Sequence, residues 1–75
     1  MENNSKGELE FAVFCIENIG QKLGISGNRA YELLSKKSRI LNNYILPNYE
    51  ILHTQTKDYI VSDIIDYMKS EGVLE

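Results

Sequence analysis

The sequence predicts an all-α, compact domain of four or five helices, and three observations indicate this fold. Apolar residues recur at steps of three and four along most of the chain, which is the spacing of one helix face. Single glycines, such as Gly24 and Gly72, follow periodic stretches where a helix is expected to end. The apolar run FAVFCI has no second run of comparable quality with which it could pair as a strand.

The first helix is predicted from Glu8 to Leu23, after a flexible polar leader at residues 1–7. Its predicted buried stripe consists of Leu9, Ala12, Val13, Ile16, Ile19 or Gly20, and Leu23. Three further apolar side chains widen this stripe: Phe11, Phe14 and Cys15. A helix that is apolar around most of its circumference belongs at the centre of a domain or in a subunit interface.

A second helix is predicted at about residues 27–37, and it forms a helix-turn-helix-like corner with the first, over about residues 8–37. Gly20 is the small residue that such a corner needs where the two helices cross. Gly24 supplies a left-handed cap, Ile25 the apolar residue after the turn, and Ser26 the N-cap of the second helix.

A third helical stretch is predicted from about Ile40 to His53, with an interruption at Pro47. Proline either kinks this helix or stands in the first turn of a new one. The second interpretation is favoured, because a residue before proline, here Leu46, is expected to leave the helical region.

The last part of the chain is predicted to contain one more helix. Residues 53–58 are interpreted as a loop and residues 59–61 as a short extended piece. Ser62 is expected to cap a final helix at residues 63–71, which Gly72 ends.

The composition is that of one small globular domain, predicted at residues 8–73. Eight basic and eleven acidic side chains give a net charge of −3, which argues against a general binder of nucleic acid or anionic membranes. One cysteine excludes an internal disulfide. The polar start and the six-residue apolar run do not resemble a signal peptide or a membrane span, so a cytoplasmic location is expected. The small size makes a homo-oligomer plausible.

The basic middle of the chain supports one alternative function, a DNA-binding regulator using residues 26–39. Residues 21–49 contain five basic side chains and one acidic side chain. The candidate DNA contacts are Ser26, Asn28 and Arg29 for base edges, and Lys36, Lys37 and Arg39 for phosphates. Ordinary helix chemistry explains the same residues, since Glu32 is spaced to pair with Arg29 and Lys36. Protein interaction is therefore the leading hypothesis.

Aromatic residues near the C-terminus suggest a surface for a protein partner. The candidate contacts are Tyr44, Tyr49, His53, Tyr59 and Tyr67, because tyrosine favours interfaces. Alternatively, each ring borders the core and keeps its polar end in water.

No catalytic residue, metal site or cofactor is predicted. The only histidine, His53, is expected to close a helix, and Cys15 lies within the most apolar helix, so the two are not expected to form a catalytic pair. One histidine, one cysteine and scattered carboxylates do not make a metal-ligand set. The five glycines form no phosphate-binding loop, and the protein is predicted not to be an enzyme.

Two stretches, LEFAVFCIENIGQKLGISGNRAYELL and NYEILHTQTKDYIVSDIIDYMKSEGV, resemble a family of short bacterial proteins of unknown function. Its most recognisable element is the segment around LHTQTKDYIVSDI. The resemblance covers roughly residues 9–73 and implies a bacterial, all-helical protein. It also implies genes beside ADP-ribosyltransferase-like proteins, and hence an accessory or antitoxin-like partner of such a protein.

Overall fold

The computed structural model describes residues 6–74, which fold into helices with no β-strand among them. The elements are α1 (Lys6–Leu23), α2 (Gly27–Ser35), a π-helical turn (Leu41–Ile45), α3 (Tyr49–Leu52) and α4 (Lys57–Ser70). Helix α1 packs against both α2 and α4, and the π-helical turn packs against α2. The predicted all-α fold is therefore confirmed. Residues 1–5 of the predicted leader lie outside the described residues, and Lys6 and Gly7 belong to α1.

The core is one apolar cluster to which α1, α2, α4 and the π-helical turn each contribute fully buried side chains. The largest of these are Cys15, Ile19, Leu34, Ile45, Ile64 and Met68. Among residues 6–74, no buried side chain is polar or charged. Burial of apolar surface is thus what holds the helices together.

The predicted start and stop signals around the first corner are confirmed. Gly24 has a φ of +73°, and the Ser26 hydroxyl accepts a hydrogen bond from the backbone N–H of Arg29 at 3.1 Å. Helix α2 ends at Ser35, two residues before the predicted end. The N–H groups of Lys36 and Lys37 both bond to the Glu32 carbonyl oxygen, which closes the helix at that point.

The prediction that Leu9 and Val13 are buried is wrong. Each side chain is 52% exposed, whereas Phe11, Ala12 and Cys15 face the core. Helix α1 is apolar around most of its circumference, so its own sequence does not determine which face the other helices cover. Helices α2 and α4 cover one side of α1, and Leu9 and Val13 lie outside the covered side.

The chain does stop and restart as a helix around Pro47, but the details differ from the prediction. Helix α3 begins at Tyr49, after Pro47, so proline precedes its first turn. Leu46 is helical, with φ −68° and ψ −44°, contrary to the prediction. It follows a π-helical turn, in which its N–H bonds to the Leu41 carbonyl oxygen at 3.0 Å. Pro47 follows this turn and has no N–H with which to continue the helical hydrogen bonds.

Helix α4 begins six residues earlier than predicted, and the predicted extended piece at residues 59–61 is wrong. Thr56 rather than Ser62 is the N-cap, and its hydroxyl accepts a hydrogen bond from the Tyr59 N–H at 3.2 Å. Ile60 and Val61 are buried on the same face as the later core residues of α4. Packing against the core therefore outweighs the strand preference of these two β-branched side chains. The predicted stop at Gly72 is confirmed by its φ of +76°.

Substitution of the two candidate caps tests where α4 begins. We expect Thr56→Ala to lower the free energy of unfolding by about 1 kcal/mol, because the Tyr59 N–H loses its acceptor. Ser62→Ala, within the helix, is expected to change it by less than about 0.5 kcal/mol. Urea denaturation of both variants measures these values. A larger loss for Ser62→Ala would contradict the observed helix start.

Candidate functional site

The corner between α1 and α2 is built on a close approach of two backbones. A Cβ atom placed on Gly20 would lie 3.0 Å from the Ile25 carbonyl oxygen and 3.4 Å from that of Ser26. The Ile25 N–H bonds to the Gly20 carbonyl oxygen at 2.9 Å, and the Gly24 N–H bonds to that of Gln21 at 3.3 Å. These bonds form a Schellman cap, which fixes the direction in which the chain enters α2.

A shallow groove of about 420 Å³ lies between the two helices of this corner. It is lined by Val13, Ile16, Glu17, Ser26, Gly27, Asn28 and Tyr31 and is called the α1–α2 groove below. Val13 and Tyr31 are 52% and 46% exposed, and Ile16 is partly buried. Leu9 is one helical turn before Val13 and extends the same apolar face of α1.

Negative charge borders this apolar surface. Glu10 and Glu17 are exposed on α1 and flank Val13 by three and four residues. Among residues 6–74, neither carboxylate is in an ion pair. The surface thus combines apolar side chains that another molecule could bury with carboxylates that a basic group could approach.

The candidate DNA-binding residues are exposed, and four of them come together. Ser26, Asn28, Arg29 and Lys36 line a depression of about 460 Å³, with Glu32 and Tyr31 also lining it. Two of these groups have partners already. Arg29 Nη1 pairs with Glu32 Oε1 at 2.8 Å, and the Ser26 hydroxyl caps α2. Lys37 and Arg39 are exposed beyond the end of α2 and do not line this depression.

The five aromatic candidates divide into two groups. In the first group, the Tyr44 hydroxyl donates a hydrogen bond to Asp63. The Tyr44 ring packs edge-on against the Tyr67 ring, with 4.5 Å between the ring centroids. Tyr59 is one turn before Asp63 on α4 and is 52% exposed. The hydrogen bond to Asp63, together with burial and the Asp63 charge, raises the pKa of Tyr44 to about 12.

In the second group, Tyr49 connects the core to the surface. The Tyr49 ring packs edge-on against the Phe11 ring, with 5.5 Å between the ring centroids, and stacks on the His53 ring, with 4.5 Å between the centroids. His53 follows the last residue of α3, and its Nδ1 donates to the Tyr49 carbonyl oxygen at 2.8 Å. His53 therefore closes its helix, as predicted. In both groups, rings that border the core lie beside exposed side chains.

The Cys15 thiol lies in the core, and the metal-binding side chains of residues 6–74 are dispersed. Cys15 is fully buried, and burial raises the pKa of its thiol to about 12, so it stays protonated at neutral pH. Over residues 6–74, no set of three or more histidine, cysteine, aspartate or glutamate side chains is placed to hold a metal ion. A further groove, of about 630 Å³ between α1 and α4, has a mixed lining that includes Lys57, Asp58 and Asp66.

The sequence pattern does not identify the α1–α2 groove. It predicts Leu9 and Val13 in the core and gives no signal that Tyr31 is a candidate contact. One signal was available, because a helix that is apolar nearly all round was expected in the core or in an interface. Helix α1 has one apolar face in the core and another in the groove.

Comparison with known families identifies the chain over most of its length. Residues 10–71 match the family described as "Protein of unknown function (DUF3791)", and the chain belongs to this family. No match was found among curated proteins or among solved structures. None of the helices within residues 6–74 has the length and the apolar character that a membrane span requires.

The close approach at Gly20 generates a stability prediction. We expect Gly20→Ala to lower the free energy of unfolding by about 1 kcal/mol, because crowding against the backbone outweighs the higher helix propensity of alanine. The matched control is Gly27→Ala, whose added Cβ would meet nothing within 4 Å. We expect this control to raise the free energy of unfolding by about 0.5 kcal/mol. An equal rise in the free energy of unfolding of both variants, measured by urea denaturation, would contradict the close approach of the backbones at Gly20.

The Tyr44–Asp63 hydrogen bond generates a pH prediction. The folded protein raises the pKa of Tyr44 from 10 to about 12, so folding favours the protonated phenol. The resulting stabilisation is complete below pH 10 and is lost as the pH rises through 12. We expect wild type to lose more stability over this range than Tyr44→Phe, as measured by denaturation at several pH values. Parallel losses in the two proteins would contradict this account.

Proposed function

We propose that this protein is a small, non-catalytic protein-interaction module that binds another protein through the α1–α2 groove. One observation carries the proposal: Leu9, Val13 and Tyr31 remain about half exposed on one side of the corner, although so small a chain needs its large apolar side chains for its core. Apolar side chains grouped on a surface are typical of binding sites.

The construction of the groove supports the same function. Its walls belong to α1 and α2, whose relative position is set by the Gly20 crossing and the two caps. A groove held by such contacts is formed before a partner arrives, which reduces the loss of conformational entropy on binding. The family resemblance suggests an ADP-ribosyltransferase-like protein as one partner to test.

DNA binding by α2 is the second candidate function, because Asn28, Arg29 and Lys36 line one exposed depression of a helix-turn-helix-like corner. The surroundings weaken this candidate. Glu32 lies in the same depression and pairs with Arg29, and Glu17 lines the neighbouring groove. Phosphate groups would meet these carboxylates, so protein interaction explains the surface better.

A pull-down with matched variants tests the proposal. Wild type, Leu9→Gln/Val13→Gln, Ile51→Gln and Arg29→Ala/Lys36→Ala/Lys37→Ala are used as baits in nuclease-treated and untreated lysates of the source organism. Ile51 is the control because it is an apolar side chain that is 65% exposed on α3, away from the groove lining. We expect one protein to be retained by every bait except Leu9→Gln/Val13→Gln, with or without nuclease.

Circular dichroism is the control for folding of each bait. Recovery of DNA that is lost with nuclease and with the triple substitution would contradict the proposal and support the second candidate. Retention of the same protein by Leu9→Gln/Val13→Gln would also contradict it, because the binding surface would then lie elsewhere.

A further inference from the structure

We propose that the α1–α2 groove takes an amphipathic helix of the partner, with basic side chains beside its apolar stripe. This inference rests on the proposed function and names the chemistry of the partner. It follows from the shape of the groove and from the charges along α1.

The apolar spacing on α1 suits a helix as the occupant. Leu9, Val13 and Ile16 stand at i, i+4 and i+7, and together they span two helical turns, or about 10 Å. Tyr31 on α2 forms the opposite wall, and Gly27, also in α2, has open space where a Cβ would project. An apolar helix face laid between two helices is one of the general modes of peptide recognition.

The two carboxylates beside Val13 favour a basic partner. Glu10 and Glu17 flank Val13 on the solvent side of the stripe, are exposed, and are in no ion pair within residues 6–74. A helix that places its apolar residues against Val13 would bring its flanking side chains next to these carboxylates. Lysine or arginine at those positions gives a complementary contact, which directs both the orientation and the choice of partner.

The same charges disfavour a second copy of this chain as the occupant. In a two-fold contact between antiparallel α1 helices centred on Val13, the edge with Glu10 and Glu17 would face the same edge of the other copy. Like charges placed opposite each other are destabilising. The net charge of −3 adds to this repulsion.

Binding of two synthetic helical peptides to the purified protein tests the inference. Both peptides carry leucines at i, i+3, i+4 and i+7, and their flanking positions hold lysine in one and glutamate in the other. In fluorescence anisotropy at physiological salt, we expect wild type to bind the lysine peptide at least about tenfold more tightly. Leu9→Gln/Val13→Gln is expected to lose this binding, and Ile51→Gln is expected to keep it.

Charge reversal gives the sharper comparison, because it leaves the apolar stripe intact. We expect Glu10→Lys/Glu17→Lys to bind the glutamate peptide more tightly than the lysine peptide. Equal affinity of wild type for both peptides, or binding of neither, would overturn the inference. So would self-association of wild type, measured by sedimentation, that Leu9→Gln/Val13→Gln abolishes. The proposed function fails separately, if the pull-down retains no protein through Leu9 and Val13.

Discussion

The close approach of the turn before α2 to α1 at Gly20 is the constraint on which the rest of the structure depends. The absence of a side chain there lets the Ile25 and Ser26 carbonyl groups lie against α1. That contact, with the Schellman cap at Gly24 and the Ser26 cap, sets where α2 starts and which way it points. Ala30 and Leu34 of α2 are thereby placed in the interior, while Tyr31 is held beside Val13 and Ile16. The same placement of α2 therefore determines both the core and the α1–α2 groove.

The helix ends that depend on local hydrogen bonds could be predicted from the sequence. Gly24, Ser26 and Gly72 mark helix ends because a left-handed glycine or a hydroxyl acceptor is needed at those positions whatever the rest of the chain does. Ser62 is predicted as the cap of the last helix because the β-branched pair after Tyr59 favours an extended piece before it. The packing of Ile60 and Val61 into the core, which α1 shares, instead extends the helix back to a cap at Thr56.

The candidate site could not be predicted, because its position depends on which face of α1 the other helices cover. The sequence of α1 is compatible with several such faces, and Leu9 and Val13 would be core residues in some of them. In the structure, α2 and α4 pack on another face of α1, and these two side chains stay exposed to solvent. Tyr31 gave no local signal, since its role comes from its position opposite Val13 rather than from its neighbours in the chain.

The central claim is that this small helical protein meets its partner at the α1–α2 groove. Photo-crosslinking in living cells tests it most directly, with a photoreactive amino acid replacing Val13 in one strain and Ile51 in another. Both positions are exposed, so each probe can reach a bound molecule. The account predicts a covalent adduct with a second protein from position 13 and none from position 51. An adduct from position 51 alone, or an adduct with nucleic acid from position 13, would contradict it.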